Sequence, residues 1–145
     1  MPVTGNGLIF SYFVRNEIKF IVHQNSAIIR DNFYLIIPTI DIFLMSALLN
    51  NYYTFYQLEK QGKKYGAGLL KLQRYDIKNL MFPDISLLTP EDITALITYA
   101  QELSSTGNEL LLEKITLILE KVSAISASKI RHEYLLSKHN RLEKK

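Results

Sequence analysis

The stretch Thr39–Gln61, TIDIFLMSALLNNYYTFYQLEKQ, decides how the rest of the chain is read. Ile42, Met45, Leu48, Leu49, Tyr52, Phe55 and Tyr56 recur at three- and four-residue spacing, which marks one face of a helix. Thr39 or Asp41 suits the cap at its start, and Gly62 suits the position after its end. The expectation is one central helix. Within it the aromatic run Asn51–Tyr56 has the spacing of a core face, with Tyr53 the ring most apt to point outward as a base-stacking surface. Asn50-Asn51, like Gln24-Asn25 earlier, carries side chains that pair with adenine edges, but asparagine is also a common residue of turns and helix ends.

Before this helix the apolar period is two. Leu8–Phe13 and Ile18–His23 flank the polar Val14–Glu17 as the arms of a hairpin would, and in the second arm Ile18, Phe20 and Val22 share a face. Ala27–Arg30 and Phe33–Ile37 add two further β-rich pieces, separated by Asp31-Asn32 and closed by Pro38. Four short pieces in so few residues predict a strongly bent antiparallel sheet.

After the helix comes KKYGAGLLKLQ, Lys63–Gln73. Gly66-Ala67-Gly68 begins the dinucleotide fingerprint, but the third glycine would fall on Lys71, and a helix precedes the loop where that motif needs a strand. The P-loop pattern is missing too. What remains is a ribbon whose glycines allow close approach of a polyanion to main-chain N–H groups. Lys63, Lys64 and Lys71 surround it with charge, and Tyr65 can donate to phosphate or stack on a sugar or base. The plain alternative is a tight hairpin turn with solvated lysines.

The rest is helical. Thr89-Pro90-Glu91-Asp92 is a helix start with threonine cap, proline in the first turn and acids after it, so its carboxylates need no catalytic explanation. That helix is expected to reach about Leu103. A second runs from near Glu109 to Val122 through Leu110, Leu111, Ile115, Ile118 and Leu119. Ser123–Ser128 either breaks it or packs closely, and Lys129–Lys145 forms a basic tail with few apolar anchors: Ile130, Tyr134, Leu135 and Leu142. The architecture expected is α+β: a bent N-terminal antiparallel sheet, a central helix, the glycine loop and a helical C-terminal part.

Bulk properties narrow the function. At 145 residues the chain is one domain's worth, and 48% hydrophobic against 21% charged residues marks a globular rather than a disordered protein. No cysteine is present, which removes thiol chemistry and disulfides. His23, His132 and His139 are too dispersed for a metal site. The N-terminal residues lack the pattern of a signal peptide, and no apolar run approaches the ~18–20 residues that span a bilayer, so the expected compartment is the cytoplasm. The net charge of +3 is segregated. Nine Lys/Arg against five Asp/Glu leave residues 1–80 at +4, two against seven leave 81–128 at −5, and six against two leave 129–145 at +4. Such a chain would present a polyanion with one preferred side, and the plain alternative is a set of solvated surfaces whose charges happen to segregate.

Residues 8–86 resemble the C-terminal target-recognition region of N6-adenine-specific DNA methyltransferases of restriction–modification systems. The matching pieces, in order, are Asp31, Phe33, Tyr34, Ile36 and Pro38; Ala47-Leu48-Leu49-Asn50; Gly66 and Gly68; Leu69–Leu72; and Ile77-Lys78-Asn79-Leu80 with Pro83. A similar arrangement is found in the specificity subunits of multi-subunit restriction enzymes. The family's catalytic Asn-Pro-Pro-aromatic tetrapeptide and its glycine-rich S-adenosylmethionine site occur nowhere in the sequence. The resemblance therefore implies a DNA-recognition portion, either a C-terminal fragment or a separately encoded half. It would have no cofactor of its own and would position duplex DNA for a catalytic methyltransferase domain that binds S-adenosylmethionine. Residues 1–86 would be the target-recognition-like segment, and 87–145 a helical segment packed on it as one unit. The DNA contacts implied are Lys63, Lys64, Tyr65, Gly66, Gly68 and Lys71, with Arg15, Lys19 and Arg30 behind them; the acidic Asp84–Glu120 would face away. The competing expectation is a protein-interaction module with no nucleic-acid role.

Overall fold

The computed structural model describes residues 6–23 and 33–143. Ala27–Arg30, the third β-rich piece, lies outside them, as do Gln24, Asn25 and Asp31.

The central helix is two helices. Strand-rich residues give way to α1 (Ile42–Leu49), and α2 (Tyr52–Gln61) follows after only Asn50 and Asn51. Asp41 caps α1 by accepting from the N–H groups of Phe43 and Leu44. The break lies in side-chain chemistry that periodicity does not register. Asn51 is extended (φ −158°, ψ 166°) and its Oδ1 accepts from the Thr54 N–H, capping α2. Its Nδ2 donates to the carbonyls of Ala47 and Leu48, both at 2.9 Å, at the end of α1 where the helix supplies no N–H of its own, and the Thr54 hydroxyl also donates to Leu48. Asn50 pairs with the backbone of Phe20 as a strand neighbour would, accepting from its N–H at 3.0 Å and donating to its carbonyl at 2.9 Å. Both asparagines are buried and committed, so neither is placed to read a base. Tyr53 is likewise not an outward platform, because its hydroxyl donates to the Ile125 carbonyl at 2.5 Å.

The expected bent sheet is resolved into two three-stranded antiparallel sheets. In the first, β1 (Gly7–Ser11) lies between β3 (Ile21–His23) and β4 (Phe33–Ile36). In the second, β2 (Phe13–Val14) pairs with β6 (Leu69–Lys71), which pairs with β5 (Lys63–Tyr65). The N-terminal run thus leaves one sheet at Tyr12 and enters another whose remaining strands come from the glycine loop. Of the face expected for Ile18, Phe20 and Val22, Ile18 and Phe20 are buried and Val22 is half-buried, but His23 from the other face is buried too, and the strand covers only Ile21–His23. Gly62 does follow the helix, for a different reason from a left-handed cap. Its φ is −64°, and an added Cβ would stand 2.7 Å from Leu70 Cδ1, so glycine is needed for close packing of strand on helix.

The C-terminal part follows the expected outline: α4 (Pro90–Thr106), α5 (Leu110–Leu119) with a short 3₁₀ extension to Val122, and α6 (Ala127–Glu143); α3 (Arg74–Lys78) bridges to it. Two apolar clusters result. Leu8, Phe10, Phe20, Tyr52, Phe55, Leu58, Leu70 and Tyr134 gather between the sheets, α2 and α6. Leu44, Ala47, Leu48, Leu96, Ala100, Ile115 and Leu119 gather between α1, α4 and α5. No helix among the described residues is long and apolar enough to cross a membrane.

Thr89 and Asp92 form a reciprocal capping box at the start of α4, and Lys121 donates to Asp92 Oδ1 at 2.7 Å. The hydrogen bond from Lys121 holds the Asp92 carboxyl below the ordinary carboxylate range, with the bonds to Thr89 adding to it. A depressed folded value contributes stability that is fully present above the unfolded pKa, about 4, and is lost as pH falls through the folded value. Asp92→Asn should therefore melt below the parent at neutral pH, and the two thermal-denaturation curves should converge on acidification below pH ~4. A gap that persists unchanged in acid would contradict this.

The tail is anchored by charge as well as by apolar side chains. Ile130 and Tyr134 are buried, but Leu135 is exposed, and the most deeply held group near the end is Arg141. Its Nε and Nη2 donate to the Glu59 carboxylate at 2.9 and 2.8 Å, and its Nη1 donates to the carbonyls of Arg15 at 2.7 Å and Gly68 at 2.5 Å. The side chains of this pair are 1% and 0% exposed. One guanidinium thus ties α6, α2, the end of β2 and the glycine turn together.

Candidate nucleic-acid interface

Strand register sets the outer face of the second sheet. Phe13 lies opposite Lys71 and Lys71 opposite Lys63, while Val14, Leu70 and Lys64 form the neighbouring row and Tyr65 pairs with Leu69. Side chains alternate along a strand, so burial of Val14 and Leu70 puts Phe13, Lys71, Lys63 and Tyr65 together on the opposite side. Phe13 is 45% exposed and Tyr65 41%. Their rings are 6.4 Å apart and steeply inclined, with Lys63 Nζ over Tyr65 at 5.5 Å and Lys71 Nζ over Phe13 at 5.7 Å.

The band continues across the gap between sheets. Tyr12 contacts Phe13 and Tyr34 with ring centroids 5.1 Å away in each case, and the Arg74 guanidinium lies 4.9 Å over the Tyr34 ring. Four aromatic rings form a continuous chain of contacts, and a cation lies over three of them, Tyr65, Phe13 and Tyr34. The attraction of each cation to its ring is worth about 0.5–1 kcal/mol at such exposed sites, enough to place the charge without immobilising it.

The turn joining β5 to β6 shows why its residues are what they are. Ala67 and Gly68 are both left-handed, with φ of 65° and 76°. A Cβ on Gly68 would meet Leu142 Cα at 3.2 Å, so glycine is required twice over there. The Ala67 carbonyl accepts from Arg15 and that of Gly68 from Arg141. Gly66 is exposed, with open space where a side chain would stand.

The expected contact residues are therefore only partly brought together. Lys63, Tyr65 and Lys71 share the face, and Gly66 lies at its edge on the exposed turn. Gly68 is buried beneath Leu142 and has no surface to offer a ligand. Lys64 belongs to the other row and donates to the Glu59 carbonyl at 2.8 Å near the end of α2. Arg15 braces the turn. Lys19 pairs with Glu17 at 3.3 Å and, with Arg15 and Phe13, lines a groove of about 220 Å³ beside the face. Arg30 lies outside the described residues. Sequence reasoning missed Tyr12, Phe13, Tyr34 and Arg74. Phe13 was hidden inside an apolar run that read as one strand, and Tyr34 and Arg74 meet only through the tertiary fold.

A second concavity, of about 300 Å³, opens between Ile18–Val22, the start of α2, the end of α4 and α6. Its walls include Phe20, Tyr52, Phe55 and Tyr134, with Glu17, Glu109, Lys19 and Lys138 also lining it. A hydrogen bond between the two carboxyl groups holds Glu17 below the ordinary range and pushes Glu109 above it. Burial raises the Tyr134 hydroxyl. Among the described residues no group of three or more His, Asp or Glu is placed to hold a metal ion. No protein-family model, curated protein or solved structure matches the chain.

Proposed function

We propose that the chain is the DNA-recognition portion of a site-specific adenine-N6 methyltransferase, laying the outer face of the β2–β6–β5 sheet along DNA for a catalytic partner that supplies S-adenosylmethionine chemistry. The observation that carries this reading is the unbroken band of Phe13, Tyr65, Tyr12 and Tyr34, with Lys63, Lys71 and Arg74 over three of its rings. Lysine and arginine neutralise phosphates, and aromatic edges contact sugars and bases, so one face supplies both components of nucleic-acid affinity. The resemblance over residues 8–86 supplies the particular chemistry. Extrusion of the target adenine belongs to the catalytic partner, and the recognition portion holds the flanking duplex in register. Localisation in the cytoplasm follows from the same reading.

A protein-docking role without nucleic acid is favoured by other residues. Met81 is 81% exposed and Leu87 72%, and the nearby Phe82 is also exposed. Salt dependence separates the two. With about three phosphate contacts from Lys63, Lys71 and Arg74, duplex affinity should fall with a log–log slope of roughly −2.7, a loss of roughly fortyfold between 50 and 200 mM salt. A slope near zero, or no duplex binding at low salt, would rule the DNA reading out.

A further inference from the structure

We infer that Phe13 and Tyr65 are a stacking platform for unpaired bases, so that this face binds single-stranded DNA more tightly than intact duplex. The inference rests on the nucleic-acid reading above and names the form of DNA the face prefers.

Phosphate contacts alone would need no aromatic rings. Single exposed aromatics are ordinary on protein surfaces. Here two rings, each more than two-fifths exposed, stand 6.4 Å apart on the outer side of a three-stranded sheet. Half-buried Tyr12 and Tyr34 extend the row, with Arg74 over the last ring. In a duplex every base face is covered by the next base pair, so such rings reach only edges and sugars. An unpaired base presents its whole π-face, and every base has one, which makes the contact strong and tolerant of sequence.

The lysines fit the same use. Each ammonium rests 5.5–5.7 Å over a ring in the free chain, where an incoming base would lie. A base that takes that place leaves the flexible lysine free to move onto the nucleotide's own phosphate. Ring face and charge are then both satisfied. Lys63 and Lys71 lie directly opposite each other across β5 and β6, so two successive phosphates meet neighbouring cations.

The test is fluorescence anisotropy of the full chain with a thymidine strand and a mixed-sequence duplex, each about 20 nucleotides long, a length that exceeds the footprint of one such platform. At equal salt the strand should bind at least about tenfold more tightly. Phe13→Leu/Tyr65→Leu keeps apolar bulk on the sheet while removing the π-faces. It should weaken strand binding by roughly tenfold to a hundredfold and duplex binding by less, so that the preference for the strand is lost, with the salt slope unchanged. Equal affinity for strand and duplex overturns the inference and leaves the duplex-holding function standing. A strand preference that survives the double substitution also overturns it. If the duplex does not bind at low salt, the functional reading falls and takes this one with it, whether or not the strand binds.

Discussion

Glu59→Leu is expected to lower the free energy of unfolding by roughly 3–5 kcal/mol, because it leaves the Arg141 guanidinium buried without its counter-ion. The pair is 1% and 0% exposed in its side chains, so water cannot replace the lost carboxylate. For a chain of this size about 2–4 °C of melting temperature accompanies each kcal/mol, so the midpoint should drop on the order of 10 °C. Glu59→Leu/Arg141→Met removes both ions and should recover part of the loss. Recovery is incomplete because the carbonyls of Arg15 and Gly68 then lose their shared donor, at about 1–3 kcal/mol for the buried Gly68 acceptor and less for the part-buried Arg15 one. Urea denaturation measures all three chains. A single variant within about 1 kcal/mol of the parent would show that the pair contributes little beyond an exposed ion pair.

The second large effect concerns binding. Lys63→Ala/Lys71→Ala/Arg74→Ala should reduce the magnitude of the duplex salt slope by about three and weaken binding at low salt by at least about a hundredfold, similarly for all sequences. Lys114→Ala is the internal control. Lys114 also lies over a tyrosine, Tyr99, at 5.6 Å, but on α5 and α4 in the acidic part of the chain. Its loss should leave the slope and the affinity unchanged. Equal effects of the two variants would mean that net charge, and not this face, governs association. Circular dichroism on the triple variant guards against misfolding, since all three side chains lie on the surface or half-exposed.

The two predictions meet at the glycine turn. Arg141 holds the Gly68 carbonyl and Arg15 holds that of Ala67, so the turn beside the proposed DNA-binding face is fastened by α6 and by the residue that follows β2. Loss of Glu59 should therefore impair DNA binding as well as stability.

Local patterns determined much of this protein. The change of apolar period at Pro38, the threonine–proline start at Thr89-Pro90 and the apolar series through Leu111, Ile115 and Leu119 specify an α+β chain that opens with strands and ends in helices, because propensity and amphipathicity act over a few neighbouring residues. Lys63, Lys64, Tyr65 and Lys71 read as one cluster from sequence proximity, but the stretch is the tight hairpin of the plain alternative, and its register turns Lys64 to the other row while keeping Lys63, Tyr65 and Lys71 together.

Long-range contacts decided the remainder. The helix broke at Asn50-Asn51 because one amide pairs with Phe20, thirty residues earlier, and the other spans both helix ends. The N-terminal run divided between two sheets because its second half found β6 as a partner. Tyr34, Arg74 and Phe13 became one surface, and Arg141 a core residue, through partners that no local pattern names. The energy of a buried polar or ionic contact depends on what lies opposite, and only the assembled chain supplies the opposite side.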